Sequence, residues 1–187
     1  MSTRSFIAKQ VGDDQYLTVY CHSDGYLTYN GALLLDCYSS PEKVDELLAL
    51  GDISLLNEKL YPDPDRPHSF DYRQRQDDVT VAYARDRGDK NTQAKIMTLA
   101  QLDDPGNWTE YVYIFTRENE WKYFHAGDSK EGLLDVRENL EAEYASHGLT
   151  RPEGFYGFLS RSLIEIMRQE QAEAHQEQDN SAPVLTM

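Results

Sequence analysis

Two pairs of alternating segments constrain this chain more than any other feature. "RSFIAKQ" (4–10) and "YLTVYCH" (16–22) are rich in β-favouring residues, and "VGDDQ" between them has the chemistry of a hairpin turn. "EYVYIFTR" (110–117) and "EWKYFHA" (120–126) repeat the arrangement with Tyr, Phe and Trp. In the first pair, Phe6 and Ala8 alternate with Ile7 and Lys9, and Leu17, Val19 and Cys21 alternate with Thr18, Tyr20 and His22. One face is therefore expected inside and the other partly polar. "DVTVAYA" (78–84) reads as a further strand between the hairpins. Hairpins rather than strict strand–helix–strand alternation predict an α+β fold. Its mainly antiparallel sheet would be built from two hairpins plus a central strand, packed by helices, with a helical C-terminal extension.

The helices are read from caps and apolar spacing. In "SSPEKVDELLALGD", Ser40 caps, Pro41 opens the helix, Val44, Leu47 and Leu48 form the stripe, and Gly51 stops it. Short helices are also expected over 29–38, 54–60 and 91–102. A longer one is expected over 128–148, with Asp128 and Glu131 as a capping box and Leu133, Val136, Leu140 and Tyr144 on one face. The proline-rich 61–72 segment must be loop. The expected organisation is a core domain over 1–150, an amphipathic helix over 151–176 and a disordered tail over 177–187.

The 187 residues carry 33 acids against 18 Lys and Arg, a net charge of −15. Residues 103–187 hold 17 of those acids and 7 of the bases, a net of −10, so the C-terminal half is the more acidic. Such a surface repels nucleic-acid phosphate and suits a basic protein or nucleoprotein partner. Acidity that serves solubility alone is the competing account. Two cysteines, with no CxxC spacing, support neither a disulfide framework nor a zinc cluster. "MSTRSFIAKQ" lacks an apolar targeting region, and no run is long enough to cross a bilayer, so a soluble cytoplasmic protein without membrane contact is expected.

Three groups of residues invite chemical readings. His22 and Asp24, in "YCHSDGY", suit a general acid–base pair or a well-made turn around Gly25. Arg66, Arg73, Arg75, Arg85, Arg87, Lys90 and Lys95 make a basic island, Arg66–Lys95, for phosphate, nucleic acid or internal pairing with nearby Asp residues. Trp108 and Trp121, with Tyr111, Tyr113 and Tyr123, suit a base-stacking platform or an aromatic core. A metal site would need His22, Asp24, His68 and Asp71 to converge, and no ligand spacing on one element supports that, so no metal or cofactor is expected.

"STRSFIA", "YCHSDGY" with Tyr29 and Gly31, "PEKVDELLALGDISLL", "HSFD" and "ARDRGD" follow one another in an order that resembles a family of small proteins from phages and integrative elements of Firmicutes. The likeness covers roughly residues 2–125. It departs at Ser23, where relatives carry Trp, and at Asp89, where Glu is common. The family's mobile-element setting implies a part in phage–host conflict, such as an anti-CRISPR inhibitor. The leading expectation is an acidic inhibitor of a host nucleic-acid-handling complex, a CRISPR effector of the Cas9 kind, binding through Glu138, Glu141, Glu165 and Glu170. The alternative is a metal-independent phosphodiesterase, RNA-cleaving or phosphate-binding enzyme using His22, Asp24, His68, Arg85 and Arg87. A third reading is a homodimer formed through Phe155–Met167.

Overall fold

The computed structural model describes residues 2–181. Its centre is a mixed, open sheet of eight strands, an α+β architecture. The first hairpin is β1 (Ser5–Gly12) and β2 (Gln15–Cys21), and the second is β6 (Tyr111–Phe115) and β7 (Trp121–His125). The two lie side by side because β1 pairs with β6 in parallel, Ser5 opposite Tyr111. On one flank β2 continues to β3 (Ile53–Leu55) and β4 (Val81–Ala82); on the other, β7 continues to β8 (Leu134–Asp135). The first residues of β2 also pair with β5 (Lys95–Met97).

The helices pack on the face of the sheet that carries Ile7, Val19, Cys21, Ile53, Tyr113, Phe115 and Trp121. They are α1 (Ala32–Cys37), entered through a π-helical turn at Leu27–Gly31, α2 (Pro41–Ala49), α4 (Val136–Ser146) and α5 (Arg161–Ser181). α2 forms as its sequence dictates: the Ser40 side chain accepts from the Lys43 amide, Pro41 opens the helix, and Val44, Leu47 and Leu48 are buried. The opposite sheet face was expected to be partly polar. Instead Phe6, Ala8, Val112, Ile114 and Phe124 form a second, smaller core. Leu102 of α3 (Leu99–Leu102) completes it. β1 and β6 are interior strands, so both of their faces are covered.

Several expected elements change type or place. The strand expected at the centre over 78–84 is two residues long and sits at the sheet edge, because a π-helical turn at Tyr83–Arg87 takes over at once. The 54–60 helix is replaced by β3, held to the β2 end by bonds from the His22 and Ser23 amides to Ile53 and Ser54. The 91–102 helix is split into β5 and the single turn of α3, whose Thr98 and Gln101 cap each other reciprocally. In these segments pairing with a distant strand outweighs local helix propensity. The 128–148 helix begins only at Val136. Asp128 makes no cap bond, and Gly132 in the left-handed region (φ 95) turns the chain into β8. Asp135 is the cap, accepting from the Glu138 amide at 2.9 Å.

α5 is not a free extension. It starts at Arg161 rather than near Phe155, and Ile164 and Met167 join the main core with Leu149 and Tyr144. Arg168 donates to the His147 carbonyl, and Gln171 exchanges bonds with the Thr150 backbone, so the helix is tied to the end of α4. Of the tail expected over 177–187, residues 177–181 continue α5, and 182–187 lie outside the described residues. No helix among the described residues is long and apolar enough to cross a membrane.

Candidate functional site

The "YCHSDGY" corner is built from the sheet outward. Cys21 ends β2 fully buried, and the Asn30 side chain donates both to its sulfur and to Ser5 Oγ. Burial pushes the Cys21 thiol up to about 11, which leaves it unreactive near neutrality. Asp24 sits in the left-handed region (φ 55), which short polar side chains tolerate. Gly25 follows where a Cβ would stand 2.9 Å from the Arg4 carbonyl carbon, so only glycine lets the start of β1 come this close. Tyr26 then leaves the corner edge-on to Tyr29 and to Phe158.

The acid–base groups of this corner do not meet. His22 Nδ1 pairs with the Tyr20 hydroxyl at 2.9 Å, not with Asp24. Burial pushes the Asp24 carboxyl upward. The Tyr26 hydroxyl is raised to about 12, by burial first and then by the Asp24 charge. Among the described residues, no hydrogen bond, ion pair or ring contact joins His22 or Asp24 to His68, Arg85 or Arg87.

His68, Arg85 and Asp86 do come together, with the His68 and Asp86 side chains inside the fold and Arg85 at its surface. The side chains of His68 and Asp86 are 2% and 3% exposed. His68 Nδ1 accepts from the Gln76 amide at 3.2 Å, so the ring proton belongs on Nε2, which faces Asp86 Oδ2 at 3.4 Å. Arg85 donates to both Asp86 oxygens and to the carbonyls of Leu60 and Thr80. Asp86 also accepts from the Ala82 amide at 2.7 Å. Burial lifts the Asp86 carboxyl, but Arg85, that amide and His68 outweigh it and hold it below the usual carboxylate value. Both His68 nitrogens and both Asp86 oxygens thus have partners within the knot. The knot fastens the 61–76 loop to the edge of the sheet.

Two further arginines of the basic island have partners close by. Arg87 pairs with Asp89 and lies over the rings of Phe70 and Tyr83, 4.7 and 4.6 Å from their centroids. Arg75 donates twice to the Phe70 carbonyl. Arg66, Arg73, Lys90 and Lys95 spread along the same stretch, and Asp71 caps a short turn at Tyr72 rather than approaching His22. Among the described residues, no three His, Cys, Asp or Glu side chains form a metal-holding group.

The aromatic residues divide. Tyr113 and Trp121 are core, the Trp121 ring nitrogen donating to the Tyr38 carbonyl. Trp108 lies outside the hairpin, 76% exposed and with φ 59. The flat row of rings that base stacking needs is thus absent from the described residues around Trp108 and Trp121.

The carboxylates of the C-terminal half do face solvent. Glu138 and Glu141 on α4 and Glu165 and Glu170 on α5 are all exposed. Glu165 has Arg161 at 3.5 Å, and no ion pair among the described residues engages the other three. Arg66, Arg73, Arg85, Arg87, Lys90 and Lys95 of the basic island are exposed as well. No family model, curated protein or solved structure matches the chain.

Proposed function

We infer that the protein acts by binding a basic, nucleic-acid-handling protein and covering the surface that would hold phosphate. The observation that carries this reading is the exposed carboxylate set on α4 and α5, the latter tied by Arg168 and Gln171 to His147 and Thr150 just beyond the end of α4. A rigid pair of acidic helices presents charge without the entropy loss of ordering a loop. Opposite charge steers the encounter and sets the register. The mobile-element setting implied by the "YCHSDGY" and "RDRGD" motifs supplies the partner class: a host defence complex, and within it a CRISPR effector. The knot at His68, Arg85 and Asp86 supports binding over catalysis, because it occupies the groups an enzyme would need free.

The test is competition for DNA by a purified effector, with the chain titrated in. Glu138→Gln, Glu141→Gln, Glu165→Gln and Glu170→Gln together should weaken inhibition about ten-fold or more, since rim charges act chiefly on association. Inhibition should also fall steeply between about 0.05 and 0.5 M salt. Inhibition that is indifferent both to salt and to the four substitutions overturns the electrostatic mechanism.

A further inference from the structure

Six side chains from five separate parts of the chain converge beside the corner. Tyr26 comes from the corner, Tyr111 from β6, Tyr123 and His125 from β7, Glu143 from α4, and Phe158 from the loop before α5. They enclose an open hollow of about 260 Å³. The ring planes stand at many inclinations. Tyr111 and Tyr123 lie 6.2 Å apart at 29°, His125 stands 4.6 Å from Tyr111 at 57° and 5.8 Å from Tyr123 at 80°, and Tyr26 meets Phe158 at 5.7 Å and 81°. Tyr113 backs Tyr111 at 6.0 Å, nearly parallel, and its hydroxyl donates to the Gly25 carbonyl.

The wall that Phe158 provides is held in place. Thr28 Oγ1 donates to the Gly157 carbonyl at 2.7 Å, and the Gly157 amide returns a bond to the Thr28 carbonyl at 3.1 Å. Phe158 is nonetheless 67% exposed. A large apolar ring fixed at the rim of a hollow and left in water is the kind of surface that a ligand covers.

The hollow's electrostatics have one sign. Aromatic faces are negative, and the single formal charge among the lining residues is the Glu143 carboxylate. The one basic group within ion-pair range of it, among the described residues, is His147 at 3.8 Å. Glu143 also adds to the upward push that burial gives the Tyr111 and Tyr123 hydroxyls, which places its charge close to both rings. Leu27, Thr28 and Leu159 complete the lining without charge, so anions are disfavoured here and a cation gains from Glu143 and the rings.

We propose that this hollow is an aromatic cage for the ammonium head of a lysine on the partner protein. Rings inclined in several directions suit a compact ammonium better than a flat guanidinium, which stacks on parallel faces. The volume is below that of ordinary small-molecule pockets and admits one side-chain head. The cage is open, and Glu143 stands on the same helix as the exposed Glu138 and Glu141, so the surrounding surface complements a basic protein. The source of the lysine rests on the partner-binding reading above. The cage itself is tested without any partner, so the two ideas fail separately.

The experiment is a proton NMR titration of the full chain with three probes: N-acetyl-lysine methylamide, its norleucine counterpart and choline. The lysine probe should show saturable upfield shifts of its terminal methylene protons, a ring-current effect that surface charge alone does not produce. Glu143→Gln and Phe158→Ala, both at exposed positions, should each weaken it about five-fold or more while the melting temperature holds. Three outcomes overturn the assignment: equal shifts for norleucine, no saturable shift for lysine, or shifts that both variants leave unchanged. Choline bound ten-fold more tightly than lysine overturns the lysine and makes the cage a small-molecule quaternary ammonium site.

Discussion

Asp86 shows how one residue can look functional in sequence and prove architectural in space. Its carboxylate receives Arg85, the Ala82 amide and the His68 ring, and the Asp86 and His68 side chains themselves have little solvent contact. Asp86→Asn keeps an acceptor for the amide but leaves the guanidinium without its counter-charge, so a loss of about 2–4 kcal/mol is expected. Because the folded carboxyl sits below its ordinary value, its contribution is complete above the unfolded value of about 4. It drains away as pH falls through the folded value. Urea unfolding of wild type and Asp86→Asn should therefore differ fully near pH 7 and converge below about pH 4. A gap that stays constant into acid contradicts this role for the charge. The turn at Asp24 was legible in "YCHSDGY" because it is local, whereas the need for Gly25 comes from the distant Arg4 backbone beside it. The burial of His68 was not legible, because it depends on Gln76, which reaches back to hold the Asp63 and Arg66 carbonyls. The cage was missed for a related reason: Tyr26, His125, Glu143 and Phe158 share no spacing, and only the packing of β7, α4 and the 151–160 loop unites them.

At the scale of elements, the two hairpins and α2 were legible, since each is fixed by residues within a few positions of one another. The start of α4 was misplaced by a box that looks right and makes no bond. Asp128 and Glu131 have the capping spacing, yet Gly132 and the pairing of Leu134 with Tyr123 divert the chain first. Asp135 caps instead and also pairs with Lys122 at 2.8 Å. Lys122 first, and then the Glu138 amide, hold the Asp135 carboxyl below its usual value. Asp135→Ala should cost about 1–2 kcal/mol, and Asp128→Ala should stay within about 0.5 kcal/mol of wild type. Thermal melts of the two variants decide between the caps, and a larger loss from Asp128→Ala would restore the sequence reading. The apolar stripe of α5 also resolves at this scale. Ile164 and Met167 face the chain's own core, while Phe158 and Ile166 remain outward within the Phe155–Met167 segment read as a dimer surface.

For the whole molecule, composition announced the charge but not its placement. Only the fold ties the helix that bears Glu165 and Glu170 to the chain just beyond the end of the one that bears Glu138 and Glu141. The sheet order was likewise out of reach, because each hairpin is specified locally while the parallel seam between β1 and β6 is not. That seam governs the speed of folding. Everything from β2 to α3 lies between its two strands in the chain, so it closes only after a long loop has been gathered, an entropic cost met before its contacts reward it. The hairpins are then early and the seam is the barrier. Ile114, fully buried and opposite Ala8 across it, is the probe. Ile114→Val should remove about 1 kcal/mol, and stopped-flow kinetics should show most of that in slower refolding. A loss confined to faster unfolding would put the seam after the barrier. Until the seam closes, two half-sheets wait with open edges in the same cell, and the strong negative charge that repels phosphate also keeps those unfinished chains from one another.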